Sequence, residues 1–159
     1  MHQLLDKIPQ TGRVEWIGVR PQRESAMTIV VSVKATASDG LEGDRAGSGA
    51  SKKRQVTLIQ HEHLVAVGSL LGTEPINPDL TRRNIVVSGI NLLSLKDKPF
   101  QIGEAVFLGT GLCAPCSKME TNLGEGGYQA MRGHGGITAR VVDDGTIAVG
   151  DTVSAVSNS

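Results

Sequence analysis

The sequence predicts a mainly-β domain, a barrel or strongly curved sheet that closes its own edges, with one convincing helix. Three observations carry that prediction. Apolar and β-branched residues recur every second position in several short runs. Turn signals rich in Gly, Pro and Asp separate those runs. A single stretch shows three-to-four spacing. The chain has 159 residues, which favours one domain (residues 1–159, with its core at 14–156) and buries roughly 68–70% of the unfolded surface.

The elements follow in order. Residues 14–20 open with alternating apolar side chains and stop at Pro21. Met27, Ile29, Val31 and Val33 then alternate across 26–34, so that stretch reads as one strand. The polar residues between Arg20 and Ser25 are placed to turn a first hairpin. Residues 38–53 are dense in Gly and charge and read as a long loop, of a length that usually marks function or mobility. Residues 55–59 form a short buried strand. Leu64, Val65, Val67, Leu70 and Leu71 then mark a helix over 61–71, stopped by Gly72.

Residues 84–88 are another strand, and 92–95 a turn-like segment. Residues 100–108 alternate again, with a bulge or bend expected at Gly103. The polar, Gly-rich stretch 117–136 carries one helical turn near Tyr128 and Arg132. Residues 137–142 and 146–149 flank Asp143-Asp144-Gly145, the signal of a β-hairpin, and 152–156 are the last strand of seven or eight.

Composition narrows the function. Sixteen basic residues balance sixteen acidic ones, which speaks against a nucleic-acid face built on counterion release. Four aromatics are too few for single-strand stacking platforms. No apolar run approaches the roughly 18 residues of a membrane span. The polar N-terminus does not read as a secretory signal. A cytoplasmic location with reduced thiols is therefore expected, with no membrane or nucleic-acid partner.

Both cysteines lie in Gly111-Leu112-Cys113-Ala114-Pro115-Cys116-Ser117-Lys118. A zinc site would need further ligands, from His134 or from His61 and His63. A dithiol couple would need a βαβ setting. Two buried small hydrophobes are the plain alternative. The remaining option is one reactive thiolate at Cys116, behind Pro115 and two residues before Lys118, able to carry sulfur as a persulfide or to bind a soft or high-valent metal.

Basic residues give the second cue. Arg45, Lys52, Lys53 and Arg54 sit in or after the glycine loop, and Arg82-Arg83-Asn84 opens a strand. Guanidinium forks suit phosphates and planar heterocycles, and glycine loops admit a ligand to backbone N–H groups. The alternative is solvated charge balanced by nearby acids. His61-Glu62-His63 opens a helix, where positions i and i+2 face apart, so it reads as structural.

At these residues the chain resembles the MOSC domain, the C-terminal domain of molybdenum-cofactor sulfurase. Gly40-Leu41-Glu42-Gly43-Asp44-Arg45, Arg54-Gln55-Val56-Thr57-Leu58-Ile59, Arg82-Arg83-Asn84-Ile85-Val86-Val87-Ser88-Gly89, Ile102-Gly103, Pro115-Cys116 and the segment from Gly145 to Asp151 come in the family's order. The resemblance spans residues 14–156 and implies a β-barrel with a curved mixed sheet and a few short helices.

The resemblance further implies a pterin-bound molybdenum cofactor (molybdopterin), with Cys116 as molybdenum ligand or sulfur carrier. Arg45, Arg54, Arg82 and Asn84 would line the cofactor pocket. It suggests reduction of N-oxygenated substrates or, alternatively, a non-enzymatic relay of a persulfide to an acceptor. A stand-alone domain of this kind would need a pyridoxal-phosphate-dependent cysteine desulfurase or a reductase chain as partner. Ala46 stands where many relatives have His after the Gly-Asp-Arg run, so any role of that His is missing.

Overall fold

Strands apolar on both faces set the layout. The computed structural model describes residues 2–48 and 52–156. It begins with helix α1 (His2–Leu5), β1 (Gly12–Val19), β2 (Thr28–Val30), β3 (Ser32–Thr36), β4 (Gly40–Leu41) and β5 (Val56–Gln60). There follow α2 (His61–Leu70), β6 (Ile85–Ser88), β7 (Pro99–Ile102), β8 (Ala105–Leu112), α3 (Lys118–Leu123), α4 (Gly127–Met131), β9 (Ile137–Asp143), β10 (Gly145–Ala148) and β11 (Thr152–Ala155). Short 3-10 turns cover Arg45–Ser48, Lys52–Arg54, Pro78–Thr81 and Leu92–Leu95.

Seven strands close a ring in the order β1, β11, β7, β8, β9, β5, β6 and back to β1, and β2 extends it from β1. Gly12 opposite Val153 and Arg13 opposite Thr152 make the closure. Only β5 and β6 among these pairs run parallel, with Leu58 opposite Ile85. They are joined by α2, the crossover a parallel pair requires. Closure removes exposed edges, which is the barrel's answer to unwanted pairing.

The barrel interior is filled by Leu58, Ile85, Val87, Phe100, Phe107 and Val153, among others. Phe100 and Phe107 stack with centroids 5.5 Å apart. Ile59 and Val86 point the other way, into a second apolar layer with Leu64, Val67, Met119 and Met131 from α2, α3 and α4. Burial on both faces explains why β5 and β6 read as continuous apolar runs. The helices thus clad one wall of the barrel, and the loops that bear the cysteines lie beside them.

Five expectations change. The run 26–34 is two strands: β2 pairs with β1, β3 pairs with β10, and Val149 N donates to the oxygen of Val31 at the break. Of its alternating apolar residues Ile29 and Val31 point outward, 63% and 79% exposed, whereas Val33 packs against the core. The Asp143-Asp144-Gly145 corner makes no hairpin, because both edges of β9 are taken by β5 and β8. β10 turns away to β3 instead, and Asp144 accepts a hydrogen bond from Ala37 N at 2.8 Å.

Residues 99–112 form a hairpin turning at Gly103, whose φ is +53°, rather than one bent strand. The stretch 117–136 holds two helices where one turn was expected. The loop 38–53 contains β4 and two 3-10 turns. Its residues 49–51 lie outside the described residues.

Candidate functional site

Asp44 anchors the site. Its carboxylate is buried and accepts from Arg20 N (2.8 Å), Ala46 N (3.2 Å) and Asn84 Nδ2 (3.2 Å). Asn84 is saturated in turn. Its Nδ2 also donates to Gly18 O at 3.1 Å, and its Oδ1 accepts from Thr57 N and Thr57 Oγ1. A buried amide with every partner filled fixes three segments at once, and cutting it strands several polar groups.

Around this knot lie three guanidinium groups. Arg20 follows β1 directly, and Arg45 N donates to Arg20 O at 2.8 Å. Arg82 has φ +61° and ψ +24°, a left-handed backbone that costs a non-glycine residue about 1–2 kcal/mol. Its Nη2 donates to Ser25 O at 2.7 Å. Burial, Arg82 and Arg45 all hold the Arg20 pKa below its ordinary value, against the raising effect of Asp44 and Glu24. The corner is therefore net cationic, and the carboxylate at its centre is already occupied by N–H donors.

Arg83 turns the opposite way from Arg82. It is 6% exposed. Its Nε donates to Gly135 O (2.9 Å), Nη1 to Thr81 O (3.0 Å) and Nη2 to Ala114 O (3.3 Å). It thus ties the start of β6 to the cysteine loop. Gly135 and Gly136 make that fit feasible: a Cβ at Gly135 would lie 2.0 Å from Cys113 O, and one at Gly136 would lie 1.8 Å from Leu58 O.

The two cysteines separate cleanly. Cys113 is 3% exposed, and its N–H donates to Gly136 O. Cys116 is exposed and free, and its carbonyl accepts from Met119 N at the start of α3. Lys118 pairs with Glu24 at 3.7 Å. The loop after β1 therefore meets Lys118 at Glu24 and Arg82 at Ser25, so the thiol-bearing loop and the cationic corner share one strip of chain.

Of the residues expected from sequence, Arg45 and Arg82 come together, with Asn84 beneath them. Arg54 is exposed on the turn Lys52–Arg54 and is not among the charges acting on Arg20. Sequence reading missed Arg20 and Arg83. Arg20 carried one usable signal, a cation at a strand end just before Pro21. Arg83 carried none, since neighbouring arginines look alike.

His61-Glu62-His63 does open α2. Partial burial pushes the Glu62 carboxyl up, but hydrogen bonds from the Gln60 side chain and Gly89 N bring it below the ordinary carboxylate value. His63 packs edge to face on His134, with centroids 4.9 Å apart. Among the described residues no three His, Cys, Asp or Glu converge to hold a metal, so the zinc alternative has no ligand cluster. No helix among them is long and apolar enough to cross a membrane.

A closed seven-stranded mixed barrel with a few short helices on one wall defines a small β-barrel class. The MOSC domain family model matches residues 43–154, and the chain belongs to that family, which is associated with molybdenum cofactor binding. The fold is similar to that of the YuaD protein from Bacillus subtilis, with a TM-score of 0.81 and 18% identity over 96% of this chain and 100% of that one. YiiM from Geobacillus stearothermophilus gives 0.74 at 18% identity over 92% and 75%. YiiM from Escherichia coli gives 0.69 at 19% over 92% and 71%. No curated protein matches the chain.

Proposed function

We propose that this chain binds the molybdenum cofactor, with Arg20, Arg45 and Arg82 holding its anionic part and Cys116 serving as molybdenum ligand or sulfur carrier. The observation that carries this reading is that the Arg82 and Arg45 charges both act on Arg20, beside a carboxylate that already accepts from three N–H donors. Guanidinium groups gathered in this way suit a phosphate-like group. The left-handed backbone of Arg82 supports it, since strain of this kind gathers at functional sites.

The donor set fits the group on both sides: planar cationic forks for the anion, and a soft sulfur for a high-valent metal. When bound, the cofactor supplies the redox chemistry, including reduction of N-oxygenated substrates. The chain's own residues do the rest. Asp44 and Asn84 fix the loop that presents Arg45, and Arg83 holds the carbonyl of Ala114 so that the following turn presents Cys116. Arg54 stands outside the cluster and serves as a natural control.

The exposure of Cys116 favours a second reading, a sulfur relay. There the Cys116 thiolate attacks the outer sulfur of a desulfurase's persulfide, the donor cysteine leaves as a thiolate, and Cys116 carries one added sulfur to an acceptor. That desulfurase, or a reductase chain for the redox reading, is the partner proposed.

The deciding experiment measures molybdenum and pterin in protein purified from a cofactor-producing host, wild type beside Cys116→Ser. The ligand role expects molybdenum to be lost in the variant; full occupancy there overturns it. Intact mass after incubation with a desulfurase and cysteine tests the relay. One reducible sulfur on Cys116 supports it, and an adduct on Cys113 refutes it.

A further inference from the structure

A trough runs along the helix-clad side from the cysteine loop, and none of Arg20, Arg45 or Arg82 lines it. Its first section holds about 310 Å³ beside Cys113, Ala114, Pro115 and Tyr128. Leu112, Gly133 and Gly136 pass into a middle section of about 430 Å³. Gln60, His63 and Asn91 continue it to a third section of about 340 Å³ near Glu62 and Gly89. These volumes lie in the range of small-molecule sites.

The middle section contains no carboxylate, lysine or arginine. Leu92, Leu93, Leu112 and Ile137 supply its apolar wall. Leu93 is 57% exposed and Leu112 61%, while Tyr128, the chain's single tyrosine, stands 41% exposed at the mouth. A Cβ at Gly133 would meet nothing within 4 Å, so that wall stays low.

Few hydrogen-bonding groups there are free. The Gln60 amide is spent on Glu62 Oε1 and Leu92 N. Asn91 Oδ1 accepts from Leu93 N, which leaves its NH₂ to donate. His63 Nδ1 is shielded from solvent and has no partner among the described residues. His134 Nδ1 lies 3.0 Å from Ala130 O; a carbonyl only accepts, so that nitrogen carries a proton. Burial and the neighbouring His134 keep His63 below its ordinary pKa.

The charged groups lie only at the two ends: Arg132, exposed and hydrogen-bonded to the neutral Gln129 side chain, and Glu62, which accepts from Gln60 and Gly89. A charged ligand in the middle would be desolvated without a counter-ion, which is costly. We propose that this trough is a second ligand site, for an uncharged ring-bearing molecule with an apolar face and a hydrogen-bonding edge. It requires no cofactor, so it stands or falls apart from the molybdenum reading.

Three probes sharing one ring test it: benzamide, benzoate and benzylamine, titrated into the purified protein and followed by amide chemical shifts. Benzamide is expected to shift Leu93, Leu112 and Gly133 and to bind about tenfold tighter than the charged pair. Leu112→Asp, at an exposed position that leaves the core intact, lowers benzamide affinity about tenfold, and Leu93→Ser does likewise. Arg82→Gln leaves it unchanged. Equal affinity of the three probes, shifts centred elsewhere, or loss of binding in Arg82→Gln overturns the proposal. So does exclusion of benzamide from protein carrying the pterin, which would give the trough to the cofactor.

Discussion

The barrel wall and the cationic corner are built by opposite rules. In the wall, Val14, Leu58, Ile85 and Phe107 have no exposure at all, and stability comes from apolar burial that tolerates no void. In the corner, Asp44, Asn84 and Arg83 are buried polar groups held by hydrogen bonds to backbone, while Arg45 stays exposed. The wall spends its side chains on itself. The corner instead gathers the charges of Arg45 and Arg82 around Arg20.

Substitutions should separate the two regions. Phe107→Ala empties a fully buried site and should cost about 3–5 kcal/mol in denaturant unfolding. Cofactor content measured on the fraction that folds should be unchanged. Asn84→Ala spans both regions, because it orphans Asp44 and Thr57 groups. It should cost about 2–3 kcal/mol and weaken cofactor retention as well.

Arg82→Gly should invert the Phe107 result. Glycine adopts φ +61° without strain, so the stability change should stay within about 1 kcal/mol, while pterin retention falls. A loss as large as that of Phe107→Ala would make Arg82 a structural residue and break the comparison.

The smallest effect is one of pH. The folded-state pKa of His63 lies below its ordinary value of 6.5, so on acidification the unfolded chain takes up a proton that the native state resists. His63 therefore contributes stability above about pH 6.5 that declines as the pH falls from there through the lowered folded value. Unfolding midpoints from pH 7.5 to 5 should drop less steeply in His63→Asn than in wild type. A steeper drop in the variant would contradict the assignment.

The same division decides what the sequence could reveal. Wall strands advertise themselves by pattern: β1 and β11 fall close to where the sequence put them, and β5 and β6 where short continuous apolar runs did. The terminal hairpin failed because turn chemistry at Asp144-Gly145 is local, whereas the pairing of β9 is settled by β5 and β8 competing for its edges. The outward face of Ile29 and Val31 was beyond the sequence for a related reason: alternation reports that two faces differ, not which one the core takes.

In the corner, residue type pointed to Arg45, Arg82 and Cys116, and the structure supplied what type cannot. Arg82 and Arg83 diverge through one left-handed residue. Asn84 spends its amide internally. Arg20 arrives from 24 positions before Asp44, a separation no local pattern records.

The central claim is that the arginine corner, and not basic residues in general, holds the anionic part of the cofactor. Pterin content of protein purified from a cofactor-producing host, compared across Arg20→Gln, Arg45→Gln, Arg82→Gln and Arg54→Gln, tests it directly. The account predicts pterin lost in the first three and kept in Arg54→Gln. Pterin retained in all four, or lost only in Arg54→Gln, would contradict it.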